Sequence, residues 1–249
     1  MQIGKRSKKL QTADEFSSQL GKHSGFQVEE AYKIIRTNLL FTLASAKNNV
    51  LLVSSAESGA GKSITCANMA LSMAETGSNV LLVDADMRKP VQNRIFALPN
   101  QNGLSTILSG VVALDETKTT YKKTSLDIVT AGPTPPNPVE LLSSTQMEIL
   151  LQKLSEQYDY IFIDTPPISV LSDALVLESK VGGTVLIARQ NQTTYDALQN
   201  TVSRIKQVGG TLLGVIVNDV QQREKPYGYY YSNYYSNYYS NYYSNYENK

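Results

Sequence analysis

The stretch NVLLVSSAESGAGKS, residues 49–63, joins a short apolar run to a glycine-rich loop and decides the fold. Its second half, residues 56–63, follows the phosphate-loop pattern G-x-x-x-x-G-K-S/T, with Ala56 in place of the first glycine. Small residues let such a backbone curl so that its N–H groups point inward, and the next helix adds its positive dipole end. In this pattern Lys62 reaches the β and γ phosphates and the Ser63 hydroxyl binds magnesium. The stretch predicts a nucleotide site.

The predicted nucleotide contacts cover the loop and the start of the helix that follows it. They are Ser58, Gly59, Ala60, Gly61, Lys62, Ser63 and Ile64. Thr65 lies in the same first helical turn and is a weaker candidate. The position of the loop between a strand and a helix makes the motif specific.

Apolar runs and helical patterns alternate along the chain. After the run at 49–55, the runs are NVLLVDA (79–85), LDIVTA (126–131), YIFIDT (160–165), GTVLIAR (183–189) and LLGVIVN (212–218). Helical patterns cover 29–46, 62–75, 139–157 and 194–207. Alternation of this kind implies right-handed crossovers and a mostly parallel sheet with helices on both faces. We expect an α/β fold of the P-loop NTPase type, with ligands at the carboxyl ends of the strands.

Acidic residues follow two of these runs. Asp164 ends YIFID after four apolar or aromatic residues, and Asp84 and Asp86 follow VLLV in VLLVDAD. Two-residue spacing places Asp84 and Asp86 on the same side of an extended backbone. Together with Lys62, these three aspartates are the predicted catalytic residues, and Ser63, Asp86 and Asp164 are the predicted metal ligands. The alternative for the pair is a strand end that is solvated or caps a helix.

Composition limits the classes of function. The chain has 249 residues, a formal charge of +1 and 18% charged residues, which argues against a nucleic-acid binder. A single cysteine, Cys66, excludes an intramolecular disulfide. No apolar run is long enough for a membrane span, and residues 1–10 have no apolar stretch, so we expect neither a span nor a signal peptide. We expect a flexible basic arm at 1–25, a P-loop domain at 26–222 and a disordered tail at 223–249. The expected location is the cytoplasm.

The tail is built from repeats of YYSN and holds eleven of the sixteen tyrosines. They are Tyr227, Tyr229, Tyr230, Tyr231, Tyr234, Tyr235, Tyr238, Tyr239, Tyr242, Tyr243 and Tyr246. Because the chain also has a nucleotide site, this cluster of phenols predicts a set of phosphoacceptors. The alternative is an aromatic low-complexity end without chemistry.

The motifs resemble those of the bacterial tyrosine kinases (BY-kinases) of capsule and exopolysaccharide assembly, in the cytoplasmic form that works with a separate transmembrane activator. The resemblance covers about residues 29–220, together with the tyrosine-rich tail. It includes EAYKIIRTNLLF, GLSTILSG, AGPTPPNPVELL, YDYIFIDTPPISVLSDA and GVIVN, in the family's order. It places Asp84 and Asp86 in the family's additional motif (Walker A′) and Asp164 in Walker B, and it implies ATP and Mg²⁺ as cofactors.

The family motif E-x-x-R-x-x-R, which helps subunits form a ring, is present as Glu30, Lys33 and Arg36. The resemblance therefore implies an oligomer interface at these three residues. Lysine keeps the positive charge of the middle position but lacks the planar fork of arginine, so we expect weaker ring contacts. A solvated helix face is the alternative.

The resemblance also implies how the protein is used. Family members are switched on by the cytoplasmic segment of the activator at the inner face of the membrane. They phosphorylate one another's tails, and cycling between the phosphorylated and the unphosphorylated tail controls polymer synthesis or export. Enzymes of polysaccharide synthesis are candidate further substrates.

Three hypotheses remain open from the sequence: an ATP-dependent tyrosine kinase, a partition-type ATPase and a catalytically weak assembly subunit. Partition-type ATPases carry a lysine five residues before the loop lysine, where this chain has Glu57. The chain also lacks the HRD and DFG motifs of eukaryote-like protein kinases. The missing motifs set aside a eukaryote-like kinase, whereas Glu57 and the tyrosine-rich tail favour the first hypothesis over a partition-type ATPase.

Overall fold

A seven-stranded sheet forms the centre of the protein in the computed structural model, which describes residues 20–21 and 25–220. Its strands are β1 Val50–Ser55, β2 Val80–Asp84, β3 Thr119–Thr120, β4 Leu126–Val129, β5 Tyr160–Asp164, β6 Gly183–Arg189 and β7 Leu212–Asn218. The strand order is β3-β4-β2-β5-β1-β6-β7, and only the β3–β4 pair is antiparallel. The predicted α/β fold with a mostly parallel sheet is confirmed. Strand β3 was not predicted, because two exposed threonines give no apolar signal.

Helices connect the strands. They are α1 Phe26–Leu43, α2 Lys62–Ala74, α3 Gln92–Ile95, α4 Leu104–Leu108, α5 Pro138–Ser143, α6 Thr145–Gln157 and α7 Tyr195–Gln207, with 3-10 helices at Leu114–Glu116 and Leu175–Lys180. The prediction of one helix over 139–157 is wrong, because Ser144 is extended (φ −63°, ψ 157°) and separates α5 from α6. Its Oγ accepts a hydrogen bond from the Met147 N–H at 3.3 Å, which caps α6.

The sheet is covered on both faces, as its apolar strands predict. Alternate residues of β1 enter opposite cores: Leu51 packs in the cluster that contains Met69 of α2, and Leu52 in the cluster that contains Leu151 of α6. Both leucines are completely buried, and full burial of such a side chain contributes about 1.5–3 kcal/mol. Packing on both faces fixes the strand ends that carry the polar residues described below.

The predicted arm at 1–25 is described only in part. Leu20 is 2% exposed and lies in the core cluster of α2, and the Gly21 N–H donates to Asn68 Oδ1 at 2.8 Å. These two residues are therefore anchored to the domain. Residues 1–19, 22–24 and 221–249 lie outside the described part of the chain.

The chain divides after Asn218, the last residue of β7, and the predicted domain end at residue 222 lies outside the described residues. Between residues 25 and 220, no helix has the length and the apolar character that a membrane span requires.

Candidate nucleotide and phosphoryl-transfer site

The glycine-rich loop lies between β1 and α2, where the sequence predicts it. Gly59 and Gly61 have left-handed φ values of 86° and 88°, which residues with a Cβ adopt only at a cost. A Cβ on Gly61 would also collide with the side chain of Asn218. Ala56, in place of the first consensus glycine, has no positive φ and is fully buried, so the substitution introduces no backbone strain there.

Three side chains at the ends of β6 and β7 hold three consecutive carbonyl groups of the loop. Gln192 Nε2 donates to Ser58 O (3.1 Å), Arg189 Nη1 to Gly59 O (3.2 Å) and Asn218 Nδ2 to Ala60 O (3.1 Å). These contacts help to fix the curved shape of the loop before any ligand binds. The sequence reasoning missed all three side chains, because single polar residues at strand ends carry no motif.

The remaining predicted contacts lie at the start of α2. Ser63 is buried, whereas Ile64 is half-buried and packs against the core on the α2 side of the sheet. Thr65 is 1% exposed, and its hydroxyl has no hydrogen-bond partner among the described residues. Cys66 is fully buried, as expected for a residue of the core, and burial raises the pKa of its thiol.

Lys62 brings together the loop and two of the three predicted aspartates. Its Nζ lies 3.1 Å from Ser63 Oγ, 3.1 Å from Asp86 Oδ2 and 3.2 Å from Asp164 Oδ1. Burial alone would lower the pKa of the Lys62 ammonium, but the charges of Asp164, Asp86 and Asp84 outweigh burial and raise it. The lysine is therefore a cation at neutral pH.

Asp84 has a different environment from the other two aspartates. It is fully buried; its Oδ1 accepts from the Asp86 N–H at 3.1 Å, and its Oδ2 from the N–H groups of Val91 (3.1 Å) and Gln92 (2.9 Å). Burial and the negative charge of Asp164 raise the pKa of the Asp84 carboxyl above its usual range. The carboxylate thus closes the turn that follows β2.

Gln92 joins the separate motifs and was not predicted. Its side chain is fully buried, and Nε2 donates to Asp164 Oδ2 at 2.8 Å and to the Ser63 carbonyl at 3.0 Å. A glutamine eight residues after Asp84 belongs to no motif used in the sequence reasoning, so only the folded turn shows its position.

The oxygen atoms around the Lys62 ammonium also suit a magnesium ion. Ser63 Oγ, Asp86 Oδ2 and Asp164 Oδ1 already surround one cation, and Mg²⁺ prefers one or two carboxylates completed by water and substrate phosphates. Within residues 25–220, no group of three or more histidine, cysteine or acidic side chains forms a metal cage by itself. The set therefore fits a metal that arrives with a nucleotide better than an ion bound by protein alone.

The predicted oligomer interface is occupied by contacts within the chain. Lys33 Nζ pairs with Glu29 at 3.1 Å and with Glu30 at 2.8 Å, both on α1. Arg36 Nη1 donates to the carbonyl (2.6 Å) and the hydroxyl (3.2 Å) of Ser72 on α2. Arg36 thus connects α1 to the helix that follows the phosphate loop, and the ring contact stays a prediction.

The loop, its lysine and the carboxylates at the ends of β2 and β5 define a P-loop nucleotide-binding protein. The family model described as ParA, NUBPL iron-transfer P-loop NTPase, matches residues 46–238. Within this class, the chain belongs to the family of bacterial tyrosine-protein kinases and is a protein-tyrosine kinase.

Proteins of similar sequence support the assignment to this family. Tyrosine-protein kinase YwqD of Bacillus subtilis is 36% identical over 202 residues, which cover 81% of this chain and 85% of YwqD. Tyrosine-protein kinase Wzc of Salmonella typhi is 37% identical over 204 residues, but the match spans only 28% of that longer protein. The resemblance stated from the motifs is confirmed.

Solved structures agree with the relatives in sequence. The chimerical protein CapA2B2 has a TM-score of 0.77 at 34% identity, over 81% of this chain and 88% of that one. The kinase domain of Escherichia coli tyrosine kinase Etk has a TM-score of 0.74 at 33% identity, over 80% of each chain. The fold is therefore that of a tyrosine-kinase domain.

Proposed function

We propose that this kinase uses ATP and Mg²⁺ to phosphorylate the tyrosine cluster at its own C-terminus, with transfer between subunits. The observation that carries the proposal is the meeting of Lys62, Asp86 and Asp164 at the strand ends, with a nitrogen to oxygen distance of 3.1–3.2 Å in both ion pairs. One basic and two acidic groups beside a phosphate loop are the parts that phosphoryl transfer requires.

The site acts mainly through charge and position, because the transferred phosphoryl group spreads negative charge over its oxygens. Lys62, a cation at neutral pH, would neutralise part of this charge. Ser63, Asp86 and Asp164 would hold Mg²⁺, which supplies further neutralisation on the phosphate oxygens. Lys62 would reach the phosphates with the ammonium group that pairs with Asp86 and Asp164 in the structure.

Asp84 is the proposed partner of the acceptor hydroxyl. A phenol has a pKa of about 10, so its proton must be accepted as the bond to phosphorus forms. The raised pKa of Asp84 makes its carboxylate a better proton acceptor than an ordinary aspartate. Its two oxygens offer about four acceptor positions. Three N–H groups use three of them, which leaves one for the hydroxyl.

The length of the tail favours transfer between subunits. From residue 221 to residue 246 an extended chain spans up to about 85 Å, at about 3.3 Å per residue, which exceeds the radius of one domain. Each phosphate adds a charge of about −1.5 to −2, so several phosphotyrosines would turn a nearly neutral protein strongly anionic. Repulsion between phosphorylated tails would then loosen a homo-oligomer.

The biological setting of the proposal follows from the family. We propose that a separate transmembrane activator recruits the kinase to the inner face of the membrane through its cytoplasmic segment. Cycling of the tail between its phosphorylated and unphosphorylated forms would regulate capsule or exopolysaccharide polymerisation and export. A relative named for a cps region, 38% identical over 194 residues, supports this setting.

The test measures phosphotyrosine on the purified protein after incubation with ATP and Mg²⁺, with and without the activator's cytoplasmic segment. We expect a strong signal that falls at least about 100-fold in Lys62→Met, because this change removes the cation at the transferred group. Lys153→Met on the exposed face of α6 is the matched control and keeps full activity. Phosphate release from ATP without phosphotyrosine would instead support a partition-type ATPase.

A further inference from the structure

Gln92 contacts each of the three motifs of the site, although none of them includes it. Its backbone N–H donates to Asp84 Oδ2 at 2.9 Å, and its Nε2 donates to Asp164 Oδ2 at 2.8 Å and to the Ser63 carbonyl at 3.0 Å. The residue is fully buried at the start of α3. One side chain thus connects the end of β5 with the first turn of α2, and its backbone connects both to the end of β2.

The two oxygens of the Asp164 carboxylate have different partners. Oδ2 accepts the amide hydrogen of Gln92, and Oδ1 accepts the Lys62 ammonium at 3.2 Å. With Oδ2 held, the carboxylate cannot rotate about its terminal bond without losing a buried hydrogen bond. Oδ1 therefore stays directed at the position where a cation is bound.

The other end of the amide provides an independent argument. Gln92 Oε1 is buried and has no hydrogen-bond partner among the described residues. An unpaired buried acceptor is unfavourable, and an apolar side chain of similar length would avoid it. The choice of glutamine at position 92, despite the unsatisfied Oε1, is best explained by a function of the amide nitrogen Nε2.

We propose that Gln92 is a positioning residue for the metal–nucleotide site. Its side chain holds Asp164 Oδ1 and the first turn of α2 in a fixed geometry toward Mg²⁺. The proposal rests on the proposed function for its choice of metal and nucleotide. Residues that orient metal ligands from outside the metal shell typically change metal affinity by about 10–100-fold when they are removed. Gln92 touches two groups of this kind, Asp164 and the backbone of Ser63.

The test uses Gln92→Met, which keeps the length of the side chain and removes the amide. Two quantities are measured on the full chain: the affinity for a fluorescent ADP analogue with and without Mg²⁺, and the Mg²⁺ concentration that half-saturates tyrosine phosphorylation. We expect the half-saturating Mg²⁺ concentration to rise about 10-fold and excess Mg²⁺ to restore most of the activity. Nucleotide affinity without Mg²⁺ should stay within about 2-fold of the wild type, because the loop itself is unchanged.

Gln152→Met, on the exposed side of α6, is the matched control and should match the wild type in both measurements. Gln92→Asn keeps an amide that is one methylene too short to reach both acceptors, and it should shift the Mg²⁺ dependence in the same direction. If Gln92→Met does not fold, the Mg²⁺ dependence of Gln92→Asn tests the proposal instead.

A loss of activity or of thermal stability with an unchanged Mg²⁺ dependence would overturn the proposal and leave Gln92 a structural residue. The ADP measurement separates this proposal from the proposed function. A wild-type protein that binds Mg²⁺ and ADP but makes no phosphotyrosine would contradict the kinase proposal alone.

Discussion

Asp84 and Asp164 lie directly opposite each other in the register of β2 and β5, yet their carboxylates have different partners. Asp164 pairs with the Lys62 ammonium, whereas Asp84 accepts three backbone N–H groups of the turn after β2. Two fully buried carboxylates on neighbouring strands raise the cost of ionising both, and this contributes to the raised pKa of Asp84. The geometry thus separates a carboxylate beside the cation from one that binds the turn after β2, which is the proposed proton acceptor.

Asp84→Asn tests this division. We expect phosphoryl transfer to fall about 10²–10⁴-fold, the usual contribution of a general base, while affinity for ADP without Mg²⁺ changes little, because the phosphate loop is unchanged. The variant should also lose about 1–3 kcal/mol of stability, because the amide Nδ2 cannot accept from the N–H groups that bind this carboxylate. Turnover, nucleotide affinity and urea unfolding are measured together. Asp196→Asn, exposed at the start of α7, is the control, and a normal rate in Asp84→Asn would remove Asp84 from the mechanism.

Gly61→Ala tests the geometry of the phosphate loop. The change introduces a Cβ at φ 88° that collides with the Asn218 side chain, so we expect nucleotide affinity to fall more than about 10-fold. Gly110→Ala is the matched control, because Gly110 also has a positive φ, 71°, but open space where the Cβ would lie. Both variants carry a backbone strain of about 1–2 kcal/mol. Equal nucleotide affinity in the two variants, measured by calorimetry, would contradict the role given to the loop.

Much of the fold and of the site follows from local patterns in the sequence. Buried strands between helices identify the parallel sheet, and the loop motif identifies Lys62 and Ser63 without any knowledge of packing. The carboxyl ends of parallel strands share one edge, so Asp86 and Asp164 are also placed near Lys62 by the order of elements alone. The structure agrees, with both carboxylates within 3.2 Å of the lysine nitrogen.

The features that the sequence did not predict depend on long-range contacts. Gln92 and Arg189 reach the site across 72 and 130 residues, respectively, to Asp164 and Gly59, and no periodicity records such contacts. Arg36 matches a motif for subunit contacts, yet in the structure it donates to Ser72 of its own chain. A motif identifies a residue type and its spacing, but the partner of a long side chain depends on which helix packs beside it.

Glu178 gives a prediction for the pH dependence of stability. The residue is 3% exposed, its Oε1 accepts from Thr184 Oγ1 at 2.7 Å, and burial raises the pKa of its carboxyl to about 7. From about pH 4.5 to about pH 7 the unfolded chain has ionised Glu178 while the folded chain keeps the proton. The folded state then binds more protons than the unfolded state, so stability falls as pH rises through this window and is level above it.

Glu178→Gln should reduce this slope, of which the raised pKa of Asp84 keeps a part, and should raise stability at pH 8 by about 1–3 kcal/mol, because one pKa unit corresponds to about 1.4 kcal/mol. The measurement is urea unfolding at pH 5 and pH 8 for the wild type and the variant. Glu156→Gln, exposed on α6, should leave the slope unchanged. An equal slope in Glu178→Gln and the wild type would show that Glu178 ionises normally in the folded protein.

The tyrosine cluster gives the final prediction, which separates the enzyme from its substrate. One chain carries Lys62→Met with an intact tail, and the other has a wild-type site with all eleven tyrosines of residues 227–246 changed to phenylalanine. We expect each chain alone to give little phosphotyrosine and their mixture to label the Lys62→Met chain, because a tail of this length, if fully extended, would span up to about 85 Å and reach a neighbouring site. A mixture that stays unlabelled would contradict transfer between subunits. Strong labelling of the phenylalanine chain alone would show that the main phosphoacceptors lie outside the tail.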